Sequence, residues 1–400
     1  MSDIMSPPRL LIVSTQPWPF PARLCMALRR AGFHVEGASP PRAYLGRSAA
    51  PETWHRLRPW RLLPDLAEAV GAARPDRLIP CDDVSAMLVV ALHADPAMRA
   101  TVEASMGDPG GYRVALSKGA QMALAAEMGL PIPPTLHLPD RAAMDAAIAA
   151  GPMPRVLKVD GNWGGEGVAV LRDAAAAGPA WDRLTAPPSL FAAAKRSVRE
   201  RSVRAIVARR EWRPSTPHLQ EFSAGIPANR AVLCEGGRVL AGLSVTALET
   251  AGASGPATVV RVIDNPVMNA TAEAFVARLG LSGFHGFDFM VAPDGAALML
   301  EMNPRVTPIC HLSRGDGHGL AAALLAAMGG DAPPVSLPAP GDTIALFPNE
   351  WMRDPASSHL RGWHDAPWDD PPLLHASIAD MAATERMERV RDRLRRLSSR

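Results

Sequence analysis

Two hydrophobic periods share this chain. Short apolar runs of strand type at Arg9–Ser14, Phe33–Gly37 and Asp76–Pro80 are separated by helical-period stretches at Ala22–Ala31, Pro64–Ala73 and Asp83–Ala94. β and α segments alternating at this spacing predict a small parallel α/β domain over residues 1–112. After the Gly107–Gly111 loop, Ser117 is placed to cap a helix over Lys118–Met128. A strand at Thr135–Leu138 and a helix at Asp140–Ala150 follow. Two further strands, Val156–Val159 and Val168–Leu171, then enclose a glycine-rich loop. Pro188–Arg210 has helical period, with basic residues on one side and Leu190, Ala194, Val198 and Ile206 on the other, as expected of a solvated helix face. Strands at His218–Phe222, Arg230–Cys234, Arg238–Leu248 and Thr258–Ile263 precede a helix at Pro266–Leu279. The runs Gly283–Val291 and Ala297–Asn303 around Pro-Asp-Gly predict a hairpin. A helix at Gly319–Met328, a strand at Thr343–Phe347 and a charged helix over Ile378–Leu397 complete the pattern.

Composition narrows this picture. A net charge of +2 points to no polyanionic partner, so neither nucleic acid nor a membrane surface is expected. No run of about 18 apolar residues occurs, and the N-terminal residues lack a secretory pattern. Cys25, Cys81, Cys234 and Cys310 are scattered without metal-ligand spacing, and read as reduced thiols of a cytoplasmic protein.

The hairpin carries the first chemical signal. Glu301 and Asn303 lie two apart on a strand and share a face, and Asp288 on the partner strand can be brought opposite them. Carboxylates and an amide on one face make poor core residues but good ligands for Mg²⁺. A hairpin wetted on one face gives the same pattern. Arg305, just past the strand, adds a fork of donors for a phosphate or carboxylate. The second signal is Lys158, inside an apolar strand and followed by Gly161, Gly164, Gly165 and Gly167. A glycine loop can wrap phosphates while a strand lysine supplies charge, although such a loop can also be a plain hairpin. The turn after the first strand, S-T-Q-P-W-P-F-P, has no glycine, which argues against a nicotinamide cofactor. Asp82 and Asp83 follow a strand end, where they either face a ligand or cap the next helix. Arg230, Arg261 and His311 could reach substrate or be structural.

The order of these features resembles the ATP-grasp superfamily over residues 115–330. A lysine at a helix start is followed by a strand lysine with its glycine loop, then the strand L-Q-E-F, then a carboxylate hairpin ending E-M-N-P-R. The likeness is to its carboxylate–amine ligases and to biotin carboxylase and carbamoyl-phosphate synthase. It implies that the α/β unit is the family's preceding domain and that 113–330 is an ATP-grasp domain of two α+β subdomains (glycine-loop subdomain about 135–222), while residues 331–400 read from their own pattern as a C-terminal extension. It further implies that Lys118, Lys158 and the Gly161–Gly167 loop meet the ATP phosphates, and that Gln220, Glu221, Phe222 and Ser223 meet the adenine. Asp288, Glu301 and Asn303 would hold magnesium, two ions with manganese as a substitute. Lys158, Arg305 and Arg261 would act at the transferred phosphoryl group, and Arg230, Arg305 and His311 would face substrate. One departure is that I-P-A-N-R follows Gly225, placing Pro227 or Ala228 where many ligases have a ribose-gripping Glu or His. The implied activity joins a small-molecule carboxylate to an amine or thiol through an acyl phosphate. A bicarbonate-using carboxylase and a non-catalytic ATP-binding regulator are the alternatives, and the C-terminal helix could be a homodimer contact.

Overall fold

The computed structural model describes residues 6–160, 167–187, 189–190, 194, 197, 209, 216–252, 255–315 and 318–398. Strands β1 (Arg9–Val13), β2 (His34–Ser39), β3 (Trp54–Arg56) and β4 (Arg77–Pro80) form a parallel sheet in the order β3-β2-β1-β4. Leu10 to Val13 are buried on both faces, which is why β1 reads as an unbroken apolar run. β3 has no such run, and its Trp54 is exposed, so hydrophobic pattern alone does not find it. Asp82 caps the helix Asp83–Ala91 in a reciprocal box with Ser85 and also accepts the Thr15 hydroxyl at 2.7 Å. That carboxylate is thus a structural tie between the ends of β1 and β4.

A second, antiparallel sheet has the order β5-β8-β6-β7, from β5 (Thr135–His137), β6 (Arg155–Lys158), β7 (Val168–Leu171) and β8 (His218–Glu221). Leu157 and Leu219 on one face pack with Met144, Ile148 and Leu184 of the helices Arg141–Ala150 and Ala177–Thr185. Neighbouring positions alternate, so Lys158, His218 and Gln220 share the other face. Gly161, Gly164 and Gly165, and most of Pro188–Arg210, lie outside the described residues.

The third sheet is seven-stranded, in the order β13-β12-β9-β10-β11-β14-β15. Its strands are β9 (Ile226–Glu235), β10 (Arg238–Thr250), β11 (Ala257–Ile263), β12 (Gly283–Val291), β13 (Ala297–Asn303), β14 (Thr343–Leu346) and β15 (Trp363–Asp365). Phe287, Phe289 and Val232 pack under Met268, Ala272 and Phe275 of the helix Pro266–Leu279. On the opposite face Ala231, Leu233, Val245 and Val262 join a core with the helices Phe20–Ala31 and Gly319–Ala327. The first and third sheets are thereby packed around shared helices. β14 and β15 extend the sheet beyond β11, so the chain after Asp331 is built into it. The last helix runs Pro371–Ser398, beginning well before the predicted Ile378, and buries Leu373.

β13 is an edge strand, and Gln121 closes it. The Gln121 amide donates to the Met302 carbonyl at 2.8 Å and accepts from the Met302 N–H at 2.9 Å. This clasp holds the helix Lys118–Glu127 against the hairpin and sets where Lys118 can reach.

Candidate active site

In the β12–β13 hairpin Asp288 and Glu301 are direct cross-strand partners, and Gly286 faces Asn303. The register steps at the next pair, Phe289 with Met299, leaving Leu300 as the extra residue of a bulge. The bulge returns Met299 to the buried face while Glu301 and Asn303 stay on the face of Asp288. Gly286 is required here, since a Cβ would lie 2.0 Å from Thr307 Cγ2 where the chain crosses back after the hairpin. Asp288 accepts from Asn229 Nδ2 at 2.7 Å and from Asn303 Nδ2 at 2.9 Å, and Asn229 Oδ1 in turn takes the Thr307 hydroxyl at 3.1 Å.

Two lysines converge on this pair from other elements. Lys118 Nζ lies 2.7 Å from Glu301 Oε2, and Lys158 Nζ donates to the Leu300 carbonyl at 3.4 Å. Lys118 is placed by its helix start, where Ser117 caps the helix as predicted. The Ser117 hydroxyl and the Lys118 N–H both donate to Asp160, at 2.7 and 2.9 Å. Asp160 follows Lys158, so the root of the glycine loop is fastened to the helix that carries the other lysine.

Burial pushes Glu301 upward, but Lys118 and Lys158 outweigh it and hold the carboxyl below its ordinary range. Burial and the neighbouring Glu301 charge raise Asp288 despite its two amide donors. Burial also lowers Lys158, whereas for Lys118 the Glu301 charge overcomes burial and raises it. The pair thus has one firmly ionised carboxylate and one that resists ionisation until a further positive charge arrives.

Arg305 closes the cleft on a third side. Its Nε donates to Asp83 Oδ1 at 2.9 Å, its Nη2 to Asn303 Oδ1 at 3.0 Å, and its guanidinium stands 5.6 Å from the Trp18 ring centroid. The Val306 N–H donates to the Pro80 carbonyl at the end of β4, so the post-hairpin segment is pinned to the first sheet. Asp83, Lys118, Asp160, Asn303 and Pro304 line one cleft.

The other expected residues fall in three groups. Gln220 shares the face of Lys158, its amide donating to Thr135 Oγ1 at 3.1 Å, while Glu221, Phe222 and Ser223 continue the end of β8 with Phe222 exposed. Gly167 accepts from the Val159 N–H at the root of the loop. Arg230 and Arg261 are not brought to the carboxylates. They stand on the opposite face of the sheet, Arg230 buried against Ser244 and Arg261 exposed on β11 opposite Thr246. Strand parity is the reason, because Asn229 takes the carboxylate face and its neighbour must take the other. His311 is buried against Asp365 at 2.7 Å, and Asp365 also receives Arg23 at 2.6 Å, a tie between β15 and the first helix. Ala228 lies buried beneath the helix Pro266–Leu279, with no polar atom to offer a ribose. Asn229, Thr307, Asp160 and Gln121 carry no signal of this site in the sequence; of the two aspartates after β4, Asp82 caps its helix and Asp83 meets Arg305 in the cleft.

Asp288 and Glu301 fit magnesium, a hard ion that takes a few carboxylate oxygens and keeps positions for water and phosphate. Asn303 presents its amide nitrogen to Asp288 and its oxygen to Arg305, so a half-turn of the amide is what would bring its oxygen to a metal. Among the described residues no three His, Cys, Asp or Glu gather as a softer metal site would require. The four cysteines are free and buried, and no described helix is long and apolar enough to cross a membrane.

No family model and no curated protein sequence matches the chain. Solved structures do. It is similar to the Aspergillus clavatus carboxyaminoimidazole ribonucleotide synthase complexed with ATP, at 13% identity and TM-score 0.58, over 83% of this chain and 79% of that chain. The biotin carboxylase domain of Hydrogenobacter thermophilus 2-oxoglutarate carboxylase, solved as a dimer with MgADP and bicarbonate, aligns at 12% identity and TM-score 0.57, over 82% of this chain and 71% of that one. The Bacillus licheniformis L-amino acid ligase aligns at 14% identity and TM-score 0.50, over 79% and 73%. With its carboxylate hairpin, paired lysines and three-sheet architecture, the chain has the fold of the ATP-grasp superfamily.

Proposed function

We propose that this chain is an ATP-dependent ligase that activates a small-molecule carboxylate as an acyl phosphate and transfers the acyl group to an amine or, less favourably, a thiol. The observation that carries this reading is that Lys118, Lys158 and Arg305, from three separate segments, meet around the cross-strand pair Asp288 and Glu301. Such a mixture of fixed cations and anions suits phosphoryl transfer, where the protein contributes positioning and electrostatics rather than a nucleophile. A carboxylate oxygen attacks the γ-phosphorus and the bond to the ADP oxygen breaks. The amine then attacks the acyl carbon, phosphate leaves, and the amine nitrogen sheds a proton. Lys118 and Lys158 hold the nucleotide's phosphates, and Arg305 orients the incoming carboxylate against the γ-phosphoryl group. Asp288 and Glu301, with Asn303 after rotation, would hold Mg²⁺ (Mn²⁺ as a substitute), which supplies charge neutralisation on the phosphates. The loop from Gly161 to Gly167 would exclude water from the acyl phosphate. Arg261 and Arg230 receive no role at the reacting atoms.

A second reading has bicarbonate as the acid, and it is favoured by one observation: one of the similar solved structures is the biotin carboxylase domain of a 2-oxoglutarate carboxylase, holding MgADP and bicarbonate. The test is ADP release from MgATP across panels of carboxylic acids and amines, with product mass, in bicarbonate-depleted and bicarbonate-supplemented buffer. Turnover that needs an organic acid and no bicarbonate supports the ligase. Turnover that needs bicarbonate alone supports the second reading. Tight MgATP binding with no turnover under any condition contradicts both.

A further inference from the structure

His218 is 1% exposed, yet among the described residues neither of its ring nitrogens has a hydrogen-bond partner. Buried polar atoms in folded proteins are nearly always paired, so an orphaned imidazole needs an explanation. Its position supplies one. On β8 it sits directly across from Lys158 and two residues from Gln220, sharing their face. Its Nδ1 is 3.8 Å from where a Cβ would project at Gly119, so the ring lies over the first turn of the helix Lys118–Glu127. The charged groups around it are Lys158 from β6, Lys118 from that helix, Asp160 from the loop after β6, and Glu301 from β13. Burial, then the two ammonium groups, keep the ring neutral, its pKa pushed down to about 4.

A neutral imidazole offers one N–H donor and one bare acceptor nitrogen. Lys118 is already matched by Glu301, and Asp160 stands beside the same helix start, so another anion would be poorly placed against the ring. A neutral partner with its own acceptor and donor is the better match, and the outer edge of adenine has both, an acceptor at N7 and a donor in the C6 amino group. We propose that His218 reads the adenine base of the bound nucleotide, donating from one ring nitrogen to N7 beside Gln220, while Lys118 and Lys158 take the phosphates. This rests on the ATP-site reading above and adds a specificity residue to it.

The test compares MgADP with magnesium tripolyphosphate, a probe that has phosphates and no base, by titration calorimetry on the full chain. Wild-type protein binds both. His218→Leu weakens MgADP by about tenfold, the scale of one buried hydrogen bond, and leaves tripolyphosphate within about twofold. Its ligand-free melting temperature stays level or rises, because an unpaired polar group has been replaced by an apolar one of similar size. His218→Gln, which restores a donor and an acceptor, recovers most of the MgADP affinity. His218→Met serves as the apolar variant should the leucine not fold. Undiminished MgADP binding in the apolar variant overturns the inference, as does an equal loss for both probes. Wild-type protein that binds neither probe overturns the ATP-site reading, and this inference with it.

Discussion

The two faces of the seven-stranded sheet differ more than any two domains of the molecule. One face, at its β12–β13 end, carries Asp288, Glu301, Asn229 and Asn303, each tied to another polar group and open to cations from two other elements. The other buries Phe287 and Phe289, in the same strand and one residue away, against Phe275. Arginines divide along the same line. Arg305 leaves the strand end and binds Asp83, Asn303 and the Trp18 face, whereas Arg230 sits beneath a helix with Ser244. Identical side-chain chemistry therefore has opposite meanings according to strand parity, and a strand arginine cannot be assigned to a site until its register is known.

Breaking the comparison at its strong end has the largest effect. Arg305→Ala is expected to lower kcat/KM for the acid substrate by on the order of 10²-fold, the scale of removing one group aimed at developing charge, as steady-state ADP release would show. Arg230→Met is expected to keep kcat/KM within about twofold and stability within about 1 kcal/mol, since replacing a buried charge with an apolar chain of similar length is often near neutral. If Arg230→Met lost activity as Arg305→Ala does, the two faces would not be functionally distinct.

Acidity sharpens the same contrast through stability. His285 on the buried face and His218 beside the lysines are both pushed down by burial, from 6.5 to about 4. The unfolded chain binds these protons first, so stability is full above pH 6.5 and falls as pH drops toward 4. Asp288, raised in the fold, opposes this with one proton against two. Urea unfolding at pH 7 and pH 5 should show the lower midpoint at pH 5, and His285→Gln should shrink the difference. A midpoint independent of pH would mean that neither ring is held neutral. Smallest of all, Arg261→Ala on the exposed side of β11 should shift stability by no more than about 0.5 kcal/mol and leave ADP release unchanged.

Much of the frame is legible in sequence because it depends on local pattern. The apolar runs find β1, β4 and β6, the Pro-Asp-Gly turn finds the hairpin, Ser117 finds its helix start, and the two-residue spacing of Glu301 and Asn303 finds their shared face. What escapes is what depends on distance along the chain. Asn229 meets Asp288, Asp83 meets Arg305, and Gln121 clasps Met302, each across many tens of residues with no local signature. Short strands with few apolar residues escape too, as Trp54–Arg56 and Trp363–Asp365 show, because they form only by adding to an existing sheet. The face of Arg230 needed the pairing of Asn229 with Asp288 before parity could be applied.

The central claim is that Asp288 and Glu301 together hold a divalent ion with the nucleotide. Manganese titration followed by electron paramagnetic resonance, with and without ADP, tests it most directly. The account predicts nucleotide-dependent Mn²⁺ binding in the wild type that Glu301→Gln and Asp288→Asn each abolish while circular dichroism stays unchanged. Mn²⁺ binding that survives both substitutions, or that ignores ADP, would contradict it.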